Sequence, residues 1–305
     1  MRDLLTVFDL STEEIQRIFA ISKELKDKFI AGIREPLLAG RVMALLFDKP
    51  SLRTRVSFET AFAHLGGKTL FLGQDVGWGK RETAADFAQV LGQYVDLVVC
   101  RTTAHARLEE LAAHCGCPVI NGLTDSAHPC QALADLFTLE EIHSPLLGKR
   151  LAYIGDANNV ARSLAIACAK WDVEFAIASP PEYQFDRSFL EELVKHVPDV
   201  KIFQSADPRE AVRGAIGVYT DVWTSMGQEA ESEKRKKIFA PYQVNANLME
   251  QAPEGAVFLH CLPAHRGEEV TDEVIDGHYS AVLVQAANRL HVQKGLLAWL
   301  LNAID

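Results

Sequence analysis

Short runs of apolar and β-branched residues alternate with amphipathic stretches along the whole 305-residue chain. In the first amphipathic stretch, Ser11 and Glu14 form a capping-box pattern, and apolar residues from Ile15 to Leu25 recur at helical spacing. Strand-like runs that alternate with helical patterns are typical of βαβ units, in which helices cover a parallel sheet. The pattern therefore predicts an α/β fold.

Two such series follow one another, and the segment Ser144 to Gly148 is the best candidate for the boundary between them. The first series has predicted strands at 42–47, 69–72, 97–101 and 119–120, and predicted helices at 53–65, 84–91, 107–114 and 129–142. The second has predicted strands at 151–154, 174–178, 201–204, 217–220 and 256–260, followed by a C-terminal helix at 283–301. We predict two domains, residues 1–145 and 146–305, each a mostly parallel sheet flanked by helices. The polar run Glu229 to Lys237 is interpreted as a solvated face.

Charge and hydropathy limit the classes of partner. Acidic residues outnumber basic ones by 41 to 31, which gives a formal net charge of −10. Nucleic-acid-binding domains usually carry a basic patch, so we expect no nucleic-acid partner. The longest apolar segment, residues 281–301, is interrupted by Asn288, Arg289, His291 and Lys294, so we expect no membrane span.

The six cysteines are scattered and form no disulfide framework, which predicts a reducing, cytoplasmic location. The first ten residues lack the basic and apolar regions of a signal peptide. Cys115 and Cys117 form a Cys-x-Cys pair, but no second Cys or His cluster follows at zinc-finger spacing. We therefore interpret both as buried apolar residues and not as zinc ligands.

Polar sequences directly follow several predicted strands, where open parallel sheets bind their ligands. Ser51 occupies an N-cap position, and Arg53 and Thr54 follow it in the first helical turn. Free backbone N–H groups, the helix dipole, hydroxyls and a guanidinium would converge there, which suits a phosphate group. An ordinary capped helix with exposed arginines gives the same pattern, so the spacing alone leaves both interpretations open.

Three further polar residues lie at a strand end and at a helix start. Arg101 ends the predicted strand 97–101, and His128 and Gln131 flank the start of the long helix. Their donors and acceptors suit a planar carbonyl–amide group. Taken alone, His128 is equally compatible with a helix-capping or core histidine, and its charge state is open.

The segment Gly155–Ser163 occupies the position of a dinucleotide loop but lacks its glycine fingerprint, so a dehydrogenase is poorly supported. Its two asparagines, Asn158 and Asn159, suit either a helix cap or an amide contact to a carboxylate. Asp221, at another strand end, suits an ammonium group.

Cys261 invites a covalent mechanism, because it follows His260 directly. Adjacent residues on a strand point to opposite faces, so His260 is badly placed to serve as a base for this thiol. We favour a buried or contacting thiol over a nucleophile.

Four strings occur in order along the chain: Ser51-Leu52-Arg53-Thr54-Arg55, His128-Pro129-Cys130-Gln131, Asp221 through Ser225-Met226-Gly227, and His260-Cys261-Leu262-Pro263. With the string from Gln285 to Leu290, they resemble the ornithine carbamoyltransferase family over nearly the whole chain. The resemblance implies transfer of the carbamoyl group of carbamoyl phosphate to the side-chain amine of L-ornithine. The products would be L-citrulline and phosphate, in arginine metabolism.

The resemblance also implies which domain binds which substrate. The first domain would bind carbamoyl phosphate, the second ornithine, and the C-terminal helix, about residues 283–305, would pack back on the first. The implied carbamoyl phosphate ligands are Ser51, Leu52, Arg53, Thr54, Arg101, His128, Gln131, Cys261, Leu262 and Arg289, with Leu52 and Leu262 acting through their backbone. The implied ornithine ligands are Asn159, Asp221, Ser225 and Met226. Arg101, His128 and Cys261 form the implied catalytic set, and Arg55 is expected to form a structural ion pair.

No metal or cofactor is expected, because carbamoyl phosphate is already activated, and the family resemblance implies a homotrimer or a multiple of trimers. An acidic Asp221 favours a cationic diamino acid over aspartate. Acetylornithine and putrescine remain alternative amines, and a binding protein that has lost the reaction is the alternative from another class. One departure concerns the loop Gly73–Glu82, where Gly77 stands in place of the glutamine with which the family often reaches a neighbouring subunit.

Overall fold

The computed structural model describes residues 2–79, 81–224 and 229–304. The chain divides into two compact units, of which the first comprises Met1–Ala134 with Ala287–Asp305 and the second Asp135–Ala286. Both dividing points lie inside helices, which are α5 and α12 in the numbering below. The boundary between residues 145 and 146 stays a prediction.

The sheet of the first unit has four parallel strands in the order β2-β1-β3-β4. They are β1 (Val42–Phe47), β2 (Lys68–Leu72), β3 (Leu97–Arg101) and β4 (Val119–Leu123). The helices of this part are α1 (Thr12–Ile30), α2 (Leu52–His64), α3 (Ala84–Tyr94), α4 (His105–His114) and the start of α5 (Pro129–His143). Short 3₁₀ turns occur at Val7–Asp9 and Gln74–Val76.

The second unit has five parallel strands in the order β7-β6-β5-β8-β9. They are β5 (Arg150–Ile154), β6 (Glu174–Ala178), β7 (Ile202–Ser205), β8 (Ala215–Thr220) and β9 (Val257–His260). Its helices are α6 (Asn159–Lys170), α7 (Arg187–His196), α8 (Pro208–Val212), α9 (Ser232–Phe239), α10 (Ala246–Met249) and α11 (Asp272–Ile275). The last helix, α12 (Val282–Leu300), begins in the second unit and ends in the first. Further 3₁₀ turns are Pro181–Tyr183, Glu229–Glu231 and Ala240–Tyr242.

The predicted α/β class is confirmed, and every predicted strand and helix is present with ends within a few residues of those expected. For α6 the sequence pattern indicated only a possible cap at Asn158 or Asn159, and it did not predict the helices α7 to α11. In the described residues, no helix is both long and apolar enough to cross a membrane.

The interpretation of Glu229 to Lys237 as a solvated face is wrong for Arg235. This side chain is only 3% exposed, and it pairs with Asp156 on the loop after β5. Its guanidinium also lies over the ring of Tyr183 at 4.7 Å. A charge can be buried when it is paired and stacked in this way, so its place in a polar run did not reveal its burial.

Helices α1 and α12 pack closely in the first unit. A Cβ atom at Gly295 would lie 2.7 Å from the carbonyl oxygen of Ile18, so only glycine permits this approach. The buried Lys294 donates to the carbonyl oxygen of Leu25 at 2.9 Å. On the same helix, burial and the charge of Lys294 lower the pKa of His291 from 6.5 to about 4.

This pKa predicts an acid-sensitive stability. Between pH 6.5 and about 4 the unfolded histidine binds a proton that the folded one does not, so the free energy of unfolding should fall as the pH drops through that range. From pH 7 to pH 5, His291 should account for about 1–2 kcal/mol of the loss. We expect a shallower pH dependence for His291→Gln in urea unfolding. Equal slopes for the variant and the wild type would contradict the prediction.

Candidate active site

The carboxyl ends of β1 and β3 hold the first group of predicted site residues. Ser51 caps α2 as predicted, because its Oγ accepts a hydrogen bond from the backbone N–H of Thr54 at 3.3 Å. The hydroxyl of the buried Thr54 in turn accepts from Nη1 of Arg101 at 3.3 Å. The N-terminus of α2, two hydroxyls and a guanidinium are thereby brought together, which is a suitable arrangement for an anion.

A second guanidinium reaches the same hydroxyl from α12. Nη2 of Arg289 donates to Oγ1 of Thr54 at 3.4 Å, and Nη1 donates to Oε1 of Gln131. Arg101 is 8% exposed and Arg289 is 4% exposed, so water screens these two charges poorly. Residues that are far apart in the sequence therefore form one buried cationic cluster.

The charge state of His128, which the sequence left open, follows from this cluster. Burial, Arg289, Arg101 and Arg53 lower the pKa of His128 well below its usual value. The imidazole is therefore neutral near pH 7, and one of its ring nitrogens carries a proton while the other can accept one. It can donate a hydrogen bond to a substrate oxygen without adding a further positive charge.

Arg55 and Leu52 occupy peripheral positions on α2. Nε of Arg55 pairs with Glu59 at 3.0 Å, and its guanidinium lies 3.8 Å from the centre of the Phe71 ring, which is the structural role expected for it. The side chain of Leu52 is 75% exposed. A contact to a ligand through its backbone is compatible with this position.

The loop from Gly73 to Glu82 is hydrogen-bonded to Asp48, which directly follows β1. Gln74 donates to the carbonyl oxygen of Asp48 at 2.7 Å, and Arg107 donates to the carboxylate of Asp48 at 2.8 Å. Trp78 is buried beneath the guanidinium of Arg107, at 4.1 Å, and so has a packing role. Lys80 lies outside the described residues, and Gly77 adopts a left-handed conformation with φ 71°.

In the second unit, Asp221 follows β8 and is 8% exposed. Its Oδ2 accepts from Nδ2 of Asn158 at 2.9 Å, and its Oδ1 accepts from the backbone N–H of Val222 at 2.8 Å and from the thiol of Cys261 at 3.1 Å. All three donors are uncharged. They orient the carboxylate without cancelling its negative charge, so the position suits a cationic group.

Cys261 is held as a thiol. Burial, followed by the charge of Asp221 and the hydrogen bond to it, raises the pKa of this thiol well above its usual value. A protonated thiol is a poor nucleophile, which supports the non-covalent interpretation of Cys261. Cys261 is partly exposed, whereas Cys115 and Cys117 are buried, with their sulfur atoms 3.6 Å apart.

His260 is engaged through both ring nitrogens. Nδ1 accepts from the backbone N–H of Leu262 at 2.8 Å, so Nε2 carries the proton and donates to the buried Glu269 at 3.1 Å. This histidine cannot act as a base for Cys261 and instead supports the backbone turn at Leu262, whose φ is 58°. Reasoning from the sequence missed Glu269, because no local pattern indicates that it would be buried beside His260.

Two groups of side chains bring ligand-type atoms within 4.8 Å of one another: Asp221 with His260 and Cys261, and His265 with Glu268 and Glu269. In the first group, both imidazole nitrogens are hydrogen-bonded and the thiol is protonated. A metal ion requires a free imidazole nitrogen and a thiolate, so this group does not fit one as it stands. In the second group, Glu269 already accepts from the backbone N–H of His265 at 2.6 Å and from His260.

Comparison with known proteins gives a consistent result along the whole chain. The carbamoyl-P binding domain of the aspartate/ornithine carbamoyltransferases matches residues 2–141, and their Asp/Orn binding domain matches residues 147–300. The ornithine carbamoyltransferase of Bacillus subtilis (strain 168) is 52% identical over 299 residues, which cover 97% of this chain and 92% of that protein. That of Anoxybacillus flavithermus is 50% identical over 303 residues, covering 98% of this chain and 96% of the relative. The chain belongs to the ornithine carbamoyltransferase family.

A solved structure of the ornithine carbamoyltransferase from Pyrococcus furiosus has the same fold. It superimposes with a TM-score of 0.95 at 47% identity, and the match covers 100% of this chain and 98% of that chain.

Of the residues that the ornithine carbamoyltransferase resemblance implied, Ser225 and Met226 lie outside the described residues. Asn159, at the start of α6, is described, and its Oδ1 accepts from the N–H of Val160 at 3.0 Å.

The protonated state of Cys261 can be tested directly. Replacing Asp221 by Asn removes the negative charge that raises the pKa of the thiol, so the thiolate fraction should rise. We expect alkylation of Cys261 by iodoacetamide to be faster in Asp221→Asn than in the wild type, because the thiolate is the reactive form. Peptide mass spectrometry would follow it, with the buried Cys168 as the internal control. An unchanged alkylation rate for Cys261 would show that the charge of Asp221 does not control the protonation of the thiol.

Proposed function

We propose that this chain transfers the carbamoyl group of carbamoyl phosphate to the side-chain amine of L-ornithine, giving L-citrulline and phosphate in arginine metabolism. The observation that carries this proposal is a difference in charge: the residues around Thr54 form a positively charged cluster, whereas Asp221 is a carboxylate. A buried cationic cluster suits an anionic donor, and a buried carboxylate whose hydrogen-bond donors among the described residues are uncharged suits an amino-acid ammonium. Each group includes a residue at the carboxyl end of a parallel strand, Arg101 at the end of β3 and Asp221 directly after β8.

In this proposal the first unit holds carbamoyl phosphate. Ser51, Arg53 and Thr54 bind the phosphate group, with the backbone of Leu52 at the start of α2. The carbamoyl group is bound by Arg101, His128, Gln131 and Arg289, joined by Cys261 and the backbone carbonyl of Leu262. Arginine donors and a neutral imidazole N–H would stabilise the oxyanion that forms when the amine attacks, and Arg53 the departing phosphate.

Ornithine is held by the second unit in this proposal. Asp221 binds its α-ammonium, Asn159 contacts its α-carboxylate, and Ser225 and Met226 complete the set. The side-chain amine has an ordinary pKa of about 10.4, so on the order of one molecule in 10³ is neutral at pH 7. Forcing deprotonation costs about 4–5 kcal/mol. Positive charges beside the bound amine would reduce that cost, because they disfavour the ammonium form.

The same geometry ranks the alternative amines. Acetylornithine lacks a charged α-ammonium for Asp221, and putrescine lacks the α-carboxylate that Asn159 would contact. A carboxylate at Asp221 would repel the second carboxylate of aspartate. Free ornithine is therefore the substrate that best fits these charges. The thiols of all six cysteines are free, which supports a reducing, cytoplasmic location.

We further propose that the chain assembles as a homotrimer, or a multiple of it, through the α2–β2 face. This face consists of Leu52, Val56, Leu70 and Phe71, which are 75%, 49%, 49% and 39% exposed. The stacking of Arg55 on Phe71 joins the helix to the strand, and β2 is an edge strand of its sheet. An exposed apolar edge of this kind is unfavourable in water and is commonly covered by another chain.

A panel of amines tests the proposed reaction. With carbamoyl phosphate, we expect rapid product formation from ornithine and at least tenfold lower kcat/KM for acetylornithine, putrescine and aspartate, since each lacks one matched charge.

Asp221→Asn should raise the KM for ornithine far more than that for carbamoyl phosphate. Arg53→Lys should instead raise the KM for carbamoyl phosphate more than that for ornithine. We expect about a tenfold loss of kcat/KM for carbamoyl phosphate, because an ammonium cannot form the two-pronged contact of a guanidinium with a phosphate. Failure of the wild type to form citrulline would refute the proposal, and parallel changes in both KM values would refute the division of substrates.

The assembly can be tested with two valines of similar exposure. Val56 on α2 is 49% exposed and Val194 on α7 is 51% exposed. We expect Val56→Asp to shift the protein from trimer to monomer in size-exclusion chromatography with light scattering, because the charge would be buried at the interface. Val194→Asp should leave the mass unchanged. A Val56→Asp protein that remains fully trimeric would show that the α2–β2 face is not the contact.

A further inference from the structure

Asn158, on the loop between β5 and α6, has a side chain whose orientation is fixed. Its Oδ1 caps α6 by accepting from the backbone N–H groups of Val160 at 3.0 Å and Ala161 at 3.1 Å. The same oxygen also accepts from the hydroxyl of Tyr153 at 3.3 Å. A flipped amide would turn its NH₂ group towards these donors. The side chain therefore has one favourable orientation.

That orientation directs the NH₂ group at Asp221. Nδ2 donates to Oδ2 at 2.9 Å, while Val222 and Cys261 donate to Oδ1. The cap of α6 and the carboxylate after β8 are thus joined through one amide. Because the amide is uncharged, it sets the orientation of the carboxylate and leaves its charge in place.

A second aspartate on the same loop shows the contrast. Asp156, two residues before Asn158, pairs with Arg235, which is itself buried and donates to the carbonyl oxygen of Trp223 at 2.5 Å. The charge of Asp156 is matched by a guanidinium of this chain, so this carboxylate has a structural partner. Asp221 is instead hydrogen-bonded to the uncharged amide of Asn158.

We propose that Asn158 is a positioning residue that presents Asp221, oriented and still charged, to the α-ammonium group of the amino-acid substrate. The inference rests on the proposed function and adds a residue that contacts no substrate itself. It predicts that changing Asn158 alters the use of the amine and leaves the use of carbamoyl phosphate almost unchanged.

Two substitutions separate this role from helix capping. Asn158→Ser keeps a capping hydroxyl but removes the donor to Asp221. We expect its KM for ornithine to rise about tenfold, the loss of one hydrogen bond to a charged group, with the KM for carbamoyl phosphate within about twofold of the wild type. Asn245 caps α10 in the same unit by accepting from the N–H of Leu248 at 3.1 Å. Asn245→Ser is the matched control and should change neither constant.

Asn158→Asp supplies a readout that a purely structural role would not move. Aspartate caps helices as well as asparagine does, but here it would place a second carboxylate against Asp221. When the pair shares one proton, its charge and hydrogen bond match those of the wild type. At higher pH the pair loses this proton, and repulsion between the two carboxylates replaces the hydrogen bond that orients Asp221. The excess KM for ornithine, relative to the wild type at the same pH, should therefore change with pH. The serine variant should show a constant excess.

The outcomes separate this inference from the proposed function. Citrulline formation by the wild type tests the function, and the variants test Asn158. An active wild type whose Asn158→Ser variant has an unchanged KM for ornithine would overturn the inference alone. A defect in Asn158→Asp that does not vary with pH would do the same, and this variant retains the cap should the serine protein unfold.

Discussion

The meeting of Arg101 and Arg289 at the hydroxyl of Thr54 is the interaction on which the rest of the first unit depends. Two buried guanidinium groups close to one hydroxyl repel each other, so their positions must be imposed by the surrounding structure. One comes from the end of β3 and the other from α12. The close packing of α12 on α1 through Gly295, with Lys294 bound to the carbonyl oxygen of Leu25, holds the second in place.

An anion relieves the repulsion that this arrangement creates. A phosphate at the start of α2 would face the arginines, the helix dipole and the hydroxyl of Ser51 together. Burial, together with the same positive charges, lowers the pKa of His128 and keeps its imidazole neutral, so a donor is available there at neutral pH. Relief of the repulsion between the two guanidinium groups would thus contribute to the binding of an anionic ligand.

In the second unit the charge at the candidate site is negative. Asp221 is buried and accepts hydrogen bonds from uncharged donors, whereas Asp156, on the loop after β5, is paired with Arg235. An unmatched carboxylate in a buried position is costly unless a cation arrives with the ligand. The two aspartates show how one unit can use the same residue type for structure in one place and for recognition in another.

The sequence by itself determined the α/β class, the order of the main elements and the cap at Ser51, because hydrophobic periodicity and capping depend on residues within a few positions of one another. It also identified most of the charged residues of the candidate site. Only the tertiary structure decided that His128 is neutral, that Arg235 is buried and paired, and that Asn158 rather than a charged group orients Asp221. Burial and the convergence of distant side chains set these properties, and neither has a local signal in the chain.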